Sequence, residues 1–128
     1  MWGHIADHVN WPKWFTTLDA VELLGSPTGV GGGRRVIVKK LALEEQFTAW
    51  DVDQHFAFAV VRSKVPILDT MAESVRIEPT GTGCRVNYRQ GLQAKRGMGK
   101  ALELMWKPAA KGLEDALVNL KRLSESAA

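Results

Sequence analysis

The chain has few of the features that usually announce how a protein is held together or what it catalyses. It has one cysteine, Cys84, in 128 residues, which excludes an internal disulfide and fits a reducing cytoplasm. No apolar run approaches the roughly 18 residues of a membrane span, and no secretory signal opens the sequence. No Ser-His-Asp arrangement, cofactor fingerprint or metal motif is present, which counts against most enzyme classes and against a resident cofactor. His4 and His8 stand four apart, a spacing that can hold a metal, but no third ligand accompanies them. The glycines at Gly31-Gly32-Gly33 lack the Lys-Ser/Thr of a phosphate-binding loop and lead into a strand, so they read as a hairpin loop. The net charge is +3 and the pI near 9.2. The basic residues come in scattered pairs (Arg34-Arg35, Lys39-Lys40, Lys95-Arg96, Lys121-Arg122) without aromatic stacking motifs between them. That is the pattern of solvated faces, not of a nucleic-acid surface.

What is present is dominated by the last third. Apolar residues at Met98, Leu102, Met105, Trp106, Ala109, Leu113, Ala116, Leu117, Leu120 and Leu123 recur at steps of three and four, one stripe along a helix. Such a helix is roughly 40 Å long and needs a wide surface to cover the stripe. Pro108 interrupts it, removing one backbone hydrogen bond, and Gly112 weakens the same region by about 1 kcal/mol relative to alanine. Because the apolar phase continues through Pro108, the expectation is one bent helix, with a cavity-covering half (Met98–Lys107) and an anchoring half (Ala109–Leu123).

The chain before the helix changes period. Met1 to Phe15 reads as a helix and a second short one, with Asn10 as a cap, Pro12 near its start, and Trp2 and Trp11 in a hydrophobic plug. From Leu18 the period is two. Val21 and Leu23 alternate, then Arg34–Lys40, Leu43–Trp50, His55–Ser63, Ile67–Glu78 and Arg85–Gln93 follow, each joined to the next by a short turn. Six strands in succession predict an antiparallel meander, and the long helix across one face makes the class α+β. No internal repeat or linker divides the chain, so residues 1–128 are expected to form one domain.

This order of elements resembles the START-like (SRPBCC, helix-grip) superfamily and, within it, the polyketide cyclase/dehydrase family. The resemblance is carried by WGHIADHVNWPKWF (Trp2–Phe15), GVGGGRRV (Gly29–Val36), EEQFTAWDVDQHFAFAV (Glu44–Val60), VRIEPTGTGCRVNY (Val75–Tyr88) and the closing LVNLKRLSE. It implies a curved antiparallel sheet wrapped around the carboxy-terminal helix. It also implies a strand ahead of the first helix, ending in a valine–tryptophan pair where Met1-Trp2 stands here. A valine codon read as a start would account for that. Without the strand, the sheet has an unpaired edge open to pairing with another chain, hence a homodimer.

In that fold the concave face and the helix enclose a cavity for small hydrophobic or polycyclic molecules. The alternation nominates its lining: from the strands Phe47, Phe56, Phe58, Met71, Glu73, Tyr88 and Gln90, from the helix Met98, Leu102, Met105 and Trp106. A carboxylate on an apolar face is costly without a purpose, so Glu73 is a candidate general acid or base and Tyr88 a donor to a carbonyl. Arg89 and Asn87 are expected to point away. Three functions follow: a binder of a small lipophilic ligand, a cyclase/dehydrase-type enzyme using cavity acids and bases, and a co-chaperone-like interaction module. The binder is favoured, because a single carboxylate is thin ground for catalysis.

Overall fold

The structure is a computed structural model and describes residues 1–126. The amino end forms a short helix α1 (Trp2–Ala6) and a 3-10 helix (His8–Lys13), followed by β1 (Ala20–Leu24), β2 (Gly33–Val38), β3 (Leu41–Asp51), β4 (His55–Ser63), β5 (Leu68–Thr80), β6 (Gly83–Ala94) and α2 (Gly99–Ser126). The strands lie in chain order and every pairing is antiparallel. The expected meander and the α+β helix-grip class are therefore observed. β6 is an edge strand, with no partner on its outer side among the described residues.

Two local expectations need correction. Asn10 does not cap a helix; its side-chain amide instead donates to the Asp7 carboxylate at 2.8 Å, and Pro12 lies inside the 3-10 helix rather than at the start of an α-helix. Asp7 breaks the chain between the two helices, so His4 and His8 do not share one helical face.

A strict period of two places Trp50 opposite Phe47, but the β3–β4 register shifts between Phe47 and Ala49. The shift is a bulge. It returns Trp50 to the side of Phe47, where the two rings stack at 5.7 Å and both meet Phe56. The glycine loop folds against the same aromatics. Gly31 donates its N–H to the Phe47 carbonyl, and the Phe47 N–H donates to the Gly32 carbonyl. A Cβ at Gly32 would lie 2.4 Å from the Ser26 carbonyl oxygen and 2.9 Å from the Phe47 ring, so the approach requires glycine.

The core joins the concave sheet face, the amino-terminal turns and the second half of α2. Trp11, Trp14, Phe15, Phe56, Val75, Ala116 and Leu120 are all buried in it. The plug expected from Trp11 is thus observed, while Trp2 is half-buried and packs edge-on against Trp50 at 5.2 Å. α2 runs as one helix through Pro108. It is tied to the amino end where Asn119 donates to the Trp14 carbonyl at 3.2 Å. Gly112, which sequence alone presents as a weak point, has a packing role: a Cβ there would sit 2.8 Å from Thr17 Cγ2.

Candidate functional site

The register β2–β3 sets Arg34 opposite Glu45 on the concave face. Arg34 Nε donates to Glu45 Oε1 at 2.7 Å, with both side chains almost wholly buried. The guanidinium lies 3.9 Å from the centre of the Trp11 ring and 4.7 Å from that of Phe58, a cation–π sandwich that offsets part of its lost hydration. Its Nη1 donates to His8 Nδ1 at 3.4 Å. On its other side the His8 imidazole donates from Nε2 to the Pro27 carbonyl at 2.9 Å. These two partners fix one neutral tautomer. Burial, and then the adjacent Arg34 cation, push the His8 pKa down to about 4.

Beside this pair, β5 and β6 deliver Glu73, Tyr88 and Gln90. Glu73 stands opposite Gln90, with Val75 opposite Tyr88, and the Tyr88 hydroxyl donates to Glu73 Oε1. Burial, then the Glu45 carboxylate, push the Glu73 pKa up to about 7, against hydrogen bonds from Tyr88 and Gln90 and the attraction of Arg34. Burial and the neighbouring Glu73 also push the Tyr88 phenol well above its ordinary value. Burial raises Glu45 as well, opposed by Arg34. The charges divide the work. Arg34 and Glu45 balance one another, leaving Glu73 able to hold or release a proton near neutral pH while Tyr88 stays a neutral donor.

The expected lining residues fall into two groups. Phe47, Phe56, Phe58, Met71 and Glu73 are buried. Phe47 and Phe56 lie under the amino-terminal turns, with His8 stacked on Phe47 at 4.8 Å and Trp11 edge-on to Phe56 at 6.0 Å, and so belong to the filled core. Tyr88, Gln90 and Leu102 are half-buried. Met98, just ahead of α2, and Met105 are each 41% exposed and Trp106 is 50% exposed. Met105 and Trp106 lie on the helical phase that carries Ala116 and Leu120 into the core, yet neither packs against it. Asn87 and Arg89 point to the opposite, exposed face, as expected.

Sequence reasoning passed over Arg34, Glu45 and His8 as site residues. The signal for the first two was parity: Arg34 alternates in phase with Val36, and Glu45 lies between Leu43 and Phe47. Nothing in the sequence marked His8 as a partner for a residue 26 positions away.

Two clefts lie elsewhere. One of about 360 Å³ separates the end of α2 from the start of β6 and is lined by Met1, Cys84, Val86, Leu117, Leu120 and Lys121, among others. It shares no residue with the expected site. A shallower one of about 400 Å³ is walled by Thr48, Ala57, Ala72, Ser74, Arg89 and Gly91, and reaches Phe58, Glu73 and Gln90. Among the described residues no group of three His, Cys, Asp or Glu could hold a metal ion. No described helix is long and apolar enough to cross a membrane.

A sheet gripping a long helix is shared with solved structures. TTHA0849 from Thermus thermophilus superposes with a TM-score of 0.80 at 18% identity, covering 99% of this chain and 88% of that one. A START superfamily protein from Mycobacterium smegmatis gives 0.72 at 12% identity, covering 91% and 83%. Protein CV1439 from Chromobacterium violaceum gives 0.66 at 14% identity, covering 95% and 85%. At these identities the likeness is one of fold, the helix-grip architecture. The profile of the family described as "Polyketide cyclase / dehydrase and lipid transport" matches residues 1–125, and the chain belongs to that family. No curated protein matches the sequence.

Proposed function

We propose that the protein binds a small, largely apolar molecule in the gap between the concave sheet face and the first half of α2. Phe58, Met71 and Leu102 give the apolar wall, and Met98, Met105 and Trp106 close over the ligand from the helix. Glu73, Tyr88 and Gln90 orient its polar end. The supporting observation is that Met105 and Trp106 share the inward phase of Ala116 and Leu120 yet remain half-exposed, with Met98 half-exposed just ahead of the helix, so apolar surface is left there without a protein partner among the described residues. Methionines suit such a wall because they adapt to varied shapes, and family membership supports a hydrophobic ligand.

The test is native mass spectrometry of the purified protein for co-purified molecules, then a thermal-shift panel of aromatic polyketides, fatty acids and sterols. Ligand at a hundred times its dissociation constant should stabilise the fold by about 2.7 kcal/mol, a melting shift of roughly 10 °C for a domain of this size. Absence of any adduct or shift across the panel would sink the reading.

A second reading, acid–base catalysis of the cyclase/dehydrase kind, is favoured by one observation: the Glu73 carboxyl titrates near 7 while hydrogen-bonded to Tyr88. A group poised near the working pH is what proton transfer needs. If this reading holds, Glu73→Gln abolishes turnover of a bound polyketide and keeps the thermal shift. If the protein only binds, no turnover is seen in either form.

A further inference from the structure

We infer that one end of the molecule, built around the first half of α2, docks onto an anionic lipid surface. Residues 95–111 hold five cations, Lys95, Arg96, Lys100, Lys107 and Lys111, against a single acid, Glu103. Their surplus of four exceeds the +3 of the whole chain, so the remaining residues sum to −1. Two neighbouring turns add to the same end. Lys64 donates its N–H to the Ala42 carbonyl and Lys95 to that of Ile67, so the Lys39-Lys40 turn between β2 and β3, the β4–β5 loop and the entrance to α2 lie side by side. The acids there are Asp19, Asp69 and Glu103, with Asp115 paired to Lys111 at 2.9 Å and Glu114 beside it at the patch's far margin. The turn at the other end of β3 carries Asp51 and Asp53 instead.

Charge alone would suit any polyanion; the apolar residues decide between them. Leu104 is 82% exposed, the most exposed large apolar side chain among the described residues. Leu104 lies on the outer side of α2 among Lys100, Lys107 and Lys111, one or two turns away in either direction. An aliphatic side chain ringed by lysines offers nothing to a nucleic-acid backbone. It suits the headgroup–acyl boundary, where the apolar group inserts and the lysine stems extend to the headgroups. Each basic side chain near an anionic leaflet strengthens such binding about fivefold, and the attraction is screened by salt. This inference stands independently of any cavity ligand.

The test is flotation of the intact protein with phosphatidylcholine vesicles, with and without phosphatidylglycerol. Binding is expected only with phosphatidylglycerol and should weaken as salt is raised. Lys95→Ala/Arg96→Ala should lower the partition coefficient roughly thirtyfold, and Leu104→Glu should lower it at least about tenfold, by the loss of an inserted apolar group and the addition of a repelled charge. Lys121→Ala/Arg122→Ala removes the same charge from the far end of α2 and should change it by less than about twofold. All three variants alter exposed positions, and their melting temperatures report that they are folded. No binding at low salt overturns the proposal, as does an equal loss from the two double variants. Undiminished vesicle binding by Leu104→Glu, with competition by single-stranded DNA, also overturns it and identifies a general polyanion surface.

Discussion

In the second half of α2, Ala116 and Leu120 are buried against the sheet and the amino-terminal turns. In the first half, Met105 and Trp106 occupy the same helical phase and remain half-exposed. Both halves carry one amphipathic stripe, so the stripe does not decide where the helix packs. The partner does. The second half meets Trp14, whose carbonyl accepts from Asn119, and Thr17, which approaches Gly112. The first half has no such anchor: Leu102, Met105 and Trp106 do not pack against the core. Apolar surface in the second half is buried in the core, and in the first half it remains partly exposed.

The largest expected effect comes from shortening side chains in each half. Leu120→Ala should cost about 2–5 kcal/mol by loss of burial and creation of a cavity, whereas Leu104→Ala, on the exposed side of the first half, should stay within about 0.5 kcal/mol. Urea denaturation of both variants measures this. Comparable losses would mean that the first half is packed in solution.

Next comes the pH dependence beneath the open half. The Glu73 carboxyl has a folded pKa of about 7 against an ordinary 4.5, so the native state holds its proton more tightly than the unfolded chain. Its contribution is present in full below about 4.5 and is lost as pH rises through about 7. His8 acts with the opposite sign. Its folded pKa of about 4 against 6.5 gives stability that is present above 6.5 and lost as pH falls through about 4. Glu73→Gln should therefore gain stability relative to the parent as pH rises from about 4.5 to about 7, by up to about 3 kcal/mol. His8→Asn should shift the profile the other way. A Glu73→Gln difference that does not vary with pH would show that the carboxyl is solvated and the gap flooded.

Smaller effects concern the join between the halves. Pro108→Ala restores a backbone donor on the exposed side of α2 and should raise stability by about 1 kcal/mol, part of the full cost of an interior proline. A loss instead would show that the packing of α2 requires Pro108. Gly112→Ala gains helix propensity but drives a methyl group into Thr17, and a net loss of about 1 kcal/mol is expected. Thr17→Ala in the same chain should recover it. Failure of that rescue would move the constraint to another neighbour.

Much of this architecture was legible in the chain, because it depends on short-range periods. The change from a period near 3.6 to one of two marked the strands, and the long stripe marked α2 and its inward phase through Pro108. Phe58, Met71, Glu73, Tyr88 and Gln90 were placed on the helix-facing side by alternation alone, and the register brings Glu73, Tyr88 and Gln90 together. Alternation says which face a side chain takes but not which residue of the next strand it meets. Arg34 and Glu45 could each be assigned a face, yet their ion pair depends on the β2–β3 register, and register is set by turns and packing along whole strands. Trp50 was harder still, because a single extra residue in β3 reverses its side.

The meander, the amphipathic helix that follows it and the apolar wall with one carboxylate are each written in the spacing of neighbouring residues, and a reader of the chain can find them there. No such spacing says that Trp11 seals Arg34 and Glu45 beneath it, or that Glu73 lies close enough to Glu45 to titrate near neutrality. Nor does it say that the helix packs along half its length. Those features arise in the folded molecule. Burial, cross-strand distance and electrostatic coupling are properties of residues far apart in the chain, fixed when many weak contacts settle together.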